Sequence, residues 1–175
     1  MCHSTQSIMI RTGIGFDSHR FAPGRQLVLG GVIIDSEMGL QGHSDADVLS
    51  HAISDSLLGA VAEGDIGRHF PDTDKKWKDA DSLKLLQIVT QKVRAKQAVI
   101  CNIDATIMAE VPKISPYVDD MREKLANAVG IEKEQVSVKA TTMEGMGAIG
   151  RREGIAVMAV ATISQDIFEK KNEDI

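Results

Sequence analysis

IMIRTGIGFDSH, residues 8–19, decides the fold. Read with a period of two, Ile8, Ile10, Thr12, Ile14 and Phe16 share one face of an extended segment, while Asp17 and His19 fall together on the other. The stretch is therefore a first strand that carries polar groups at its end. GIGFD lacks the G-x-G-x-x-G spacing that opens a helix under a dinucleotide, which excludes a lone Rossmann unit.

Working outward, QLVLGGVII (26–34) reads as two short apolar runs joined by Gly30 and Gly31, a tight hairpin. In GHSDADVLSHAISDSLLGA (42–60), Ser44 and Asp47 fit a capping box, and Val48, Ala52, Ile53 and Leu57 form the apolar stripe of a helix. Asp47, His51 and Asp55 then stack on one side of it. Residues 62–81 are a Gly-, Asp- and Pro-rich loop, long enough to be functional. Leu83, Leu86, Val89 and Val93 mark a second amphipathic helix, and AVICNIDATIMA (98–109) a strand. Ser115 and Pro116 read as N-cap and first turn of a third helix, with Val118, Met121, Leu125 and Ala128 as its stripe and Gly130 closing it. VSVKATT (136–142) alternates like a half-buried strand, whereas GIAVMAVATI (154–163) is apolar enough for a strand covered on both faces.

This order does not alternate strictly, so the expected class is α+β, with a mixed β-sheet, helices on one face and a small β-hairpin. The expected domain spans residues 9–165, between a flexible extension at 1–8 and a solvated tail at 166–175. At 175 residues, 43% of them apolar and 26% charged, one domain can bury its own core. A net charge of −5 argues against nucleic-acid or anionic-membrane partners. Cys2 and Cys101 show no metal-type spacing and, with no signal peptide or apolar run of spanning length, read as reduced thiols in a cytoplasmic protein.

Several residues carry chemistry. Asp17 and His19 project from one strand face, and His51 on a helix can complete a three-ligand set for a divalent ion with an open fourth position. A strand-end Asp beside a hydrogen-bonded His fits the same spacing. His43 and Ser44 sit where a helix N-terminus favours a phosphate, although taken alone they are better explained by simple capping by Ser44. Asp45 and Asp47 suit a helix start, and Asp47 or Asp55 can accept the free ring N–H of a ligating His. Asp65, Ile66 and Gly67, with Phe70, Pro71, Asp72, Thr73 and Asp74, offer carboxylates to polyol hydroxyls. Thr141 and Thr142 end a strand, Lys139 and Lys113 supply cations, Glu144 can hold a second ion, and Arg151, Arg152 and Glu153 form a charged cluster.

Taken together, G-F-D-S-H, G-G-V, G-H-S-D-A-D-V-x-x-H, L-L-G-A, G-D-I-G, F-P-D-T-D, P-K, K-A-T-T and G-R-x-E-G-I-A run in order from about Arg11 to Thr162. The combination resembles the 2-C-methyl-D-erythritol 2,4-cyclodiphosphate synthase family of the non-mevalonate isoprenoid route. The resemblance implies conversion of 4-diphosphocytidyl-2-C-methyl-D-erythritol 2-phosphate to the cyclic diphosphate and CMP, in a homotrimer of single-domain subunits with active sites at subunit boundaries. By the same matching, Asp17, His19 and His51 are zinc ligands, Glu144 contacts a Mg2+ or Mn2+ ion between the phosphates, and His43 and Thr142 stabilise the transition state. Ser18, His43 and Ser44 lie beside the substrate; Asp65, Ile66, Gly67 and residues Phe70 to Asp74 hold its erythritol end. Ala109, Glu110, Val111, Pro112, Lys113, Ile114 and Ser115 take the cytidine, with Thr141, Thr142 and Met143 near its phosphates.

An isoprenoid diphosphate on the trimer axis, met by Arg151, is also implied. Here the chain departs from the family: Ala148 replaces an aromatic residue and Arg152 adds a charge, while Met143 and Glu110 replace a threonine and a glutamine. Two other readings use parts of the same set: a zinc phosphohydrolase that attacks with water, and a non-catalytic trimer that binds isoprenoid diphosphates.

Overall fold

In the computed structural model, which describes residues 7–77 and 80–167, the chain runs through β1 (Ser7–Pro23), β2 (Leu27–Leu29), β3 (Val32–Ile34), β4 (Met38–Leu40) and α1 (Val48–Ala60). It continues through α2 (Ile66–His69), α3 (Ser82–Ala95), β5 (Ala98–Met108), α4 (Val118–Val129), β6 (Val136–Thr141), α5 (Gly147–Gly150) and β7 (Gly154–Ile167). The main sheet has the order β4-β1-β7-β5-β6, and β2 and β3 form the expected hairpin around Gly30 and Gly31. Among the described strands only β5 and β6 pair in parallel, with α4 as their crossover, so the sheet is mixed.

The helices cover one face: α1 lies on β1 and β7, α3 packs between α1 and α4, and α4 rests on β6. Ile155, Val157, Ala159, Ala161 and Ile163 of β7 are buried beneath them with Leu49, Ile53, Leu57, Leu86 and Leu125. The opposite face of β7 is not covered within one chain: Met158 is 43% exposed, against the expectation of burial on both sides.

β1 is inverted relative to a simple amphipathic reading. Its helix-facing side is Gly13, Gly15, Asp17 and His19, whereas Ile8, Ile10, Ile14 and Phe16 stand on the open face. The cause is close approach. A Cβ at Gly13 would lie 2.0 Å from the Ser56 carbonyl oxygen and one at Gly15 would lie 1.9 Å from that of Ala52, so only glycine lets α1 sit directly on the strand.

Four local expectations are corrected. Ser44 does not cap α1; the cap is Asp47, whose carboxylate accepts from Ser50 N at 3.0 Å and also from the amides of Gly30 (2.8 Å) and Gly31 (2.7 Å). Ser115 does not cap an α-helix, because Tyr117 N bonds to Ile114 O at 3.0 Å and closes a 3-10 turn before α4 begins at Val118. The 62–81 loop contains α2 and a 3-10 turn at Lys75–Trp77. Strand pairing reaches beyond the expected domain edges, since Ser7 and Ile8 face Ile167 and Asp166. The expectations for residues 1–6 and 168–175 lie outside the described residues.

Candidate active site

Strands β1, β5 and β6 all run opposite to β7 or parallel to one another, so their C-terminal ends gather where β7 begins: Ser18 and Met108 both pair with Ala156, and Met108 with Thr141. Asp17 and His19 are at that end of β1 on the helix side, and the glycine contact brings His51 of α1 down beside them. Asp17 Oδ2 lies 3.0 Å from His19 Nε2 and 3.0 Å from His51 Nδ1. One ligand atom from each of the three residues falls within 4.8 Å of the others. One carboxylate oxygen and two imidazole nitrogens so placed fit a divalent ion and leave a coordination position open.

The electrostatics suit a cation. Burial works to raise the Asp17 carboxyl, yet hydrogen bonds and charge from His19 and His51 outweigh it and hold the group well below the usual carboxylate range. Burial works to lower His51, but the Asp17 hydrogen bond and the charges of Asp17, Asp47 and Asp45 raise it above its ordinary value.

The far nitrogen of His51 is not held by Asp47 or Asp55, as the helix spacing had suggested. Asp47 is fully buried as the helix cap, and Asp55 Oδ1 accepts from Ile66 N at 2.7 Å, tying α2 to α1. His51 Nε2 instead lies 2.9 Å from Ser82 Oγ and 3.2 Å from Ser44 Oγ.

A cleft of about 260 Å³ opens beside the cluster, lined by His19, His43, Ser44, His51, Ile66, Phe70, Asp72, Trp77 and Leu85. The loop bearing His43 is braced from outside, where Arg25 donates to Gly42 O at 2.8 Å and to Ser44 O at 2.5 Å. Phe70 packs edge-on against Trp77 at 4.8 Å, which builds the apolar wall. Asp65 caps α2 by accepting from Arg68 N at 2.9 Å, and Asp74 Oδ1 accepts from Lys76 N at 3.0 Å.

The candidates at 109–115, 141 and 142 line a different pocket. Ala109 to Ser115, with Ala140, Thr141 and Thr142, enclose about 420 Å³. Glu110 Oε1 accepts from Met143 N at 2.8 Å and from Gly145 N at 3.3 Å, shaping the turn on which Glu144 sits. Thr142 Oγ1 donates to Glu144 Oε1 at 2.6 Å, and Arg151 Nε to Glu153 Oε1 at 2.8 Å. Thus Glu144 and Thr142 do not join the Asp17 cluster within one chain. Sequence reading missed Arg25, Ser82, Trp77 and Leu85; the lone Trp in an acidic loop was a usable signal, whereas the other three look like ordinary surface, cap and core residues.

Fold and site together define an α+β protein that can hold a divalent cation at the carboxyl end of its sheet, beside a cleft with a histidine, a serine and an aspartate in its wall. The chain belongs to the YgbB family, whose model matches residues 10–164. It is 56% identical over 158 residues to a 2-C-methyl-D-erythritol 2,4-cyclodiphosphate synthase of Alkaliphilus metalliredigens, covering 90% of this chain and 99% of that one. A solved structure of a cyclodiphosphate synthase with CDP bound superposes with a TM-score of 0.81 at 33% identity, covering 87% of this chain and 99% of the other. A bifunctional IspDF from Campylobacter jejuni gives a TM-score of 0.88 at 43% identity over 91% of this chain and 43% of its own.

Proposed function

We propose that this chain converts 4-diphosphocytidyl-2-C-methyl-D-erythritol 2-phosphate into 2-C-methyl-D-erythritol 2,4-cyclodiphosphate and CMP. It is a phosphorus–oxygen lyase of the non-mevalonate isoprenoid route. Family membership supports the reaction, and the observation that carries the site is the Asp17–His19–His51 cluster opening into the cleft of His43, Ser44 and Asp72. Neither a water-attacking phosphohydrolase nor a non-catalytic isoprenoid-binding trimer is favoured by those relatives.

The substrate's 2-phosphate is already an anionic nucleophile, so its attack on the β-phosphorus requires no general base. What opposes it is phosphate–phosphate repulsion and the entropy of closing a ring. Zinc at Asp17, His19 and His51, with a Mg2+ or Mn2+ ion at Glu144, would neutralise the phosphates and assist departure of CMP. The chain supplies the rest. His43 and Ser44, on a loop pinned by Arg25, direct donors at the phosphates from a fixed position, and Thr142 does so from the other pocket. Asp65, Ile66, Gly67 and the Phe70–Asp74 stretch seat the methylerythritol, with Phe70 and Trp77 excluding water on one side. The 109–115 segment, including Lys113, takes the cytidine.

Two site halves in separate pockets, and an open sheet face on which Ile8 (66%), Ile10 (61%), Ile14 (65%) and Phe16 (53%) are exposed, support a homotrimer with sites shared between subunits. An isoprenoid diphosphate on its axis would draw on Arg151, with Ala148 giving less apolar surface than an aromatic. Cytoplasmic location agrees with the composition, and among the described residues no helix is long and apolar enough to cross a membrane.

The test is the product. Phosphorus NMR of the purified chain with substrate, zinc and magnesium should show a pair of coupled diphosphate resonances with CMP. A linear phosphomonoester would overturn the assignment.

A further inference from the structure

Two residues that look like helix caps are not needed as caps. Asp81 caps α3 by accepting from Leu83 N at 3.0 Å, and Asp47 caps α1, which leaves the side chains of Ser82 and Asp45 for another purpose. They meet each other. Ser82 N donates to Asp45 Oδ2 at 3.1 Å, Ser82 Oγ donates to Asp45 Oδ1, and Asp45 N donates to Ala80 O at 3.3 Å, so the segments preceding α1 and α3 are stapled together.

A hydroxyl has one proton, and a carboxylate can only accept. With the Ser82 proton committed to Asp45, the lone pairs of Ser82 Oγ face His51 Nε2 at 2.9 Å. Two acceptors at that separation repel, so the proton between them must sit on the ring nitrogen. Ser44 Oγ, at 3.2 Å from the same nitrogen, offers a second acceptor and itself accepts from Ala46 N at 3.2 Å. Ser82 is only 1% exposed, so bulk water does not compete for the contact.

We infer that Asp45 and Ser82 form a relay that keeps the proton on His51 Nε2, so that when an ion takes the place of the proton that Nδ1 directs at Asp17 Oδ2, 3.0 Å away, Nδ1 is the ligating nitrogen. The relay rests on the metal reading of the cluster proposed above. Both are positioning residues: they act through His51 and do not touch substrate. A ligating imidazole whose second nitrogen is held in this way is oriented before the ion arrives and binds it more tightly.

The experiment uses the full-length metal-free protein and zinc alone. Nitrogen-15 NMR of the His51 ring in the zinc-loaded protein reads which nitrogen carries the proton and which the ion. The zinc-loaded wild type should show a protonated Nε2 and a zinc-bound Nδ1. Ser82→Ala should mix the two tautomers and weaken zinc binding, measured by competition with a chromophoric chelator, by about 10- to 100-fold. Ser82→Thr, which keeps a hydroxyl, should restore the tautomer and most of the affinity, and Asp45→Ala should give an intermediate loss because Ser82 is then free to donate. Circular dichroism melts separate these effects from unfolding. A His51 proton found on Nδ1, or zinc bound equally by wild type and a folded Ser82→Ala, overturns the relay. A wild type that takes up no zinc sinks the metal reading, and an Nε2 proton that exchanges with solvent more slowly in it than in Ser82→Ala then leaves the relay standing.

Discussion

His51 is a single side chain asked to be both largely buried and polar, and its neighbours decide the outcome. Asp17 and the two acids near the start of α1 raise its proton affinity above the ordinary value of 6.5. The sign of the consequence follows: below that raised value the ring is protonated, and an ion must expel the proton before Nδ1 can bind. Zinc affinity of the metal-free protein should therefore climb with pH through the His51 titration and level off above it. Calorimetry in buffers of differing ionisation enthalpy should register the released proton. Affinity that is flat across neutral pH would contradict the ligand set, as would full zinc occupancy in His51→Ala. Asp17→Asn, which trades a charged ligand for a neutral one, should also bind zinc more weakly. Asp47 has a different task. Its carboxyl is fully buried, and burial pushes its proton affinity up even though Ser50, Gly30 and Gly31 all donate to it. Asp47→Ala would leave three backbone amides without their acceptor, an expected loss of about 3 kcal/mol in urea unfolding. A change within about 0.5 kcal/mol would mean that water replaces the carboxylate, as it does at exposed sites.

At the scale of elements, the contact of α1 with β1 sets the geometry of the site. Adding one carbon at Gly15 would force the helix off the strand, because the obstacle is the Ala52 carbonyl at 1.9 Å and not a movable side chain. Gly15→Ala should cost about 3 kcal/mol by overpacking. It should also weaken zinc binding in protein that remains folded, since His51 rides on the displaced helix. Retained stability and affinity would show that the helix has room to adjust. This contact also explains what the sequence could and could not disclose. The helices, the hairpin and the spacing of Asp17, His19 and His51 were legible, because amphipathic period and side-chain alternation are local properties. The direction in which β1 faces was not. Its apolar residues mark a buried face by pattern, yet the helix-facing side belongs to glycines, whose role depends on a neighbour some forty residues away. Capping was legible only as a composition: Ser44, Asp45 and Asp47 are all cap formers, and the choice of Asp47 was made by the hairpin amides it also satisfies. Likewise Ser82, next to Asp81, reads as helix-start chemistry until the fold places it against His51.

For the whole molecule, the separation of the two pockets leads to the strongest test. The proposed metal half, at Asp17, His19 and His51, and the proposed cytidine half, around Lys113 and Thr142, belong to different openings on one chain. If each working site takes one half from each of two neighbouring subunits, a subunit crippled in one half can still serve its neighbour with the other. His51→Ala and Lys113→Ala should each lose most activity alone. When the two variants are coexpressed and assemble at random, a given boundary combines both intact halves with a chance of about one in four, because each half comes from a different subunit of a head-to-tail ring. The mixed preparation should therefore recover up to about a quarter of wild-type activity, while separately purified variants mixed without subunit exchange stay inactive. Random assembly that restores nothing, from variants that each remain folded and trimeric by light scattering, would place both halves of the site in a single chain and refute shared catalysis. Phe16→Asp probes the same arrangement from the sheet side: it sets a charge on the apolar face opposite the helices, so it should dissociate the assembly and abolish turnover while leaving zinc binding by the helix-side cluster intact.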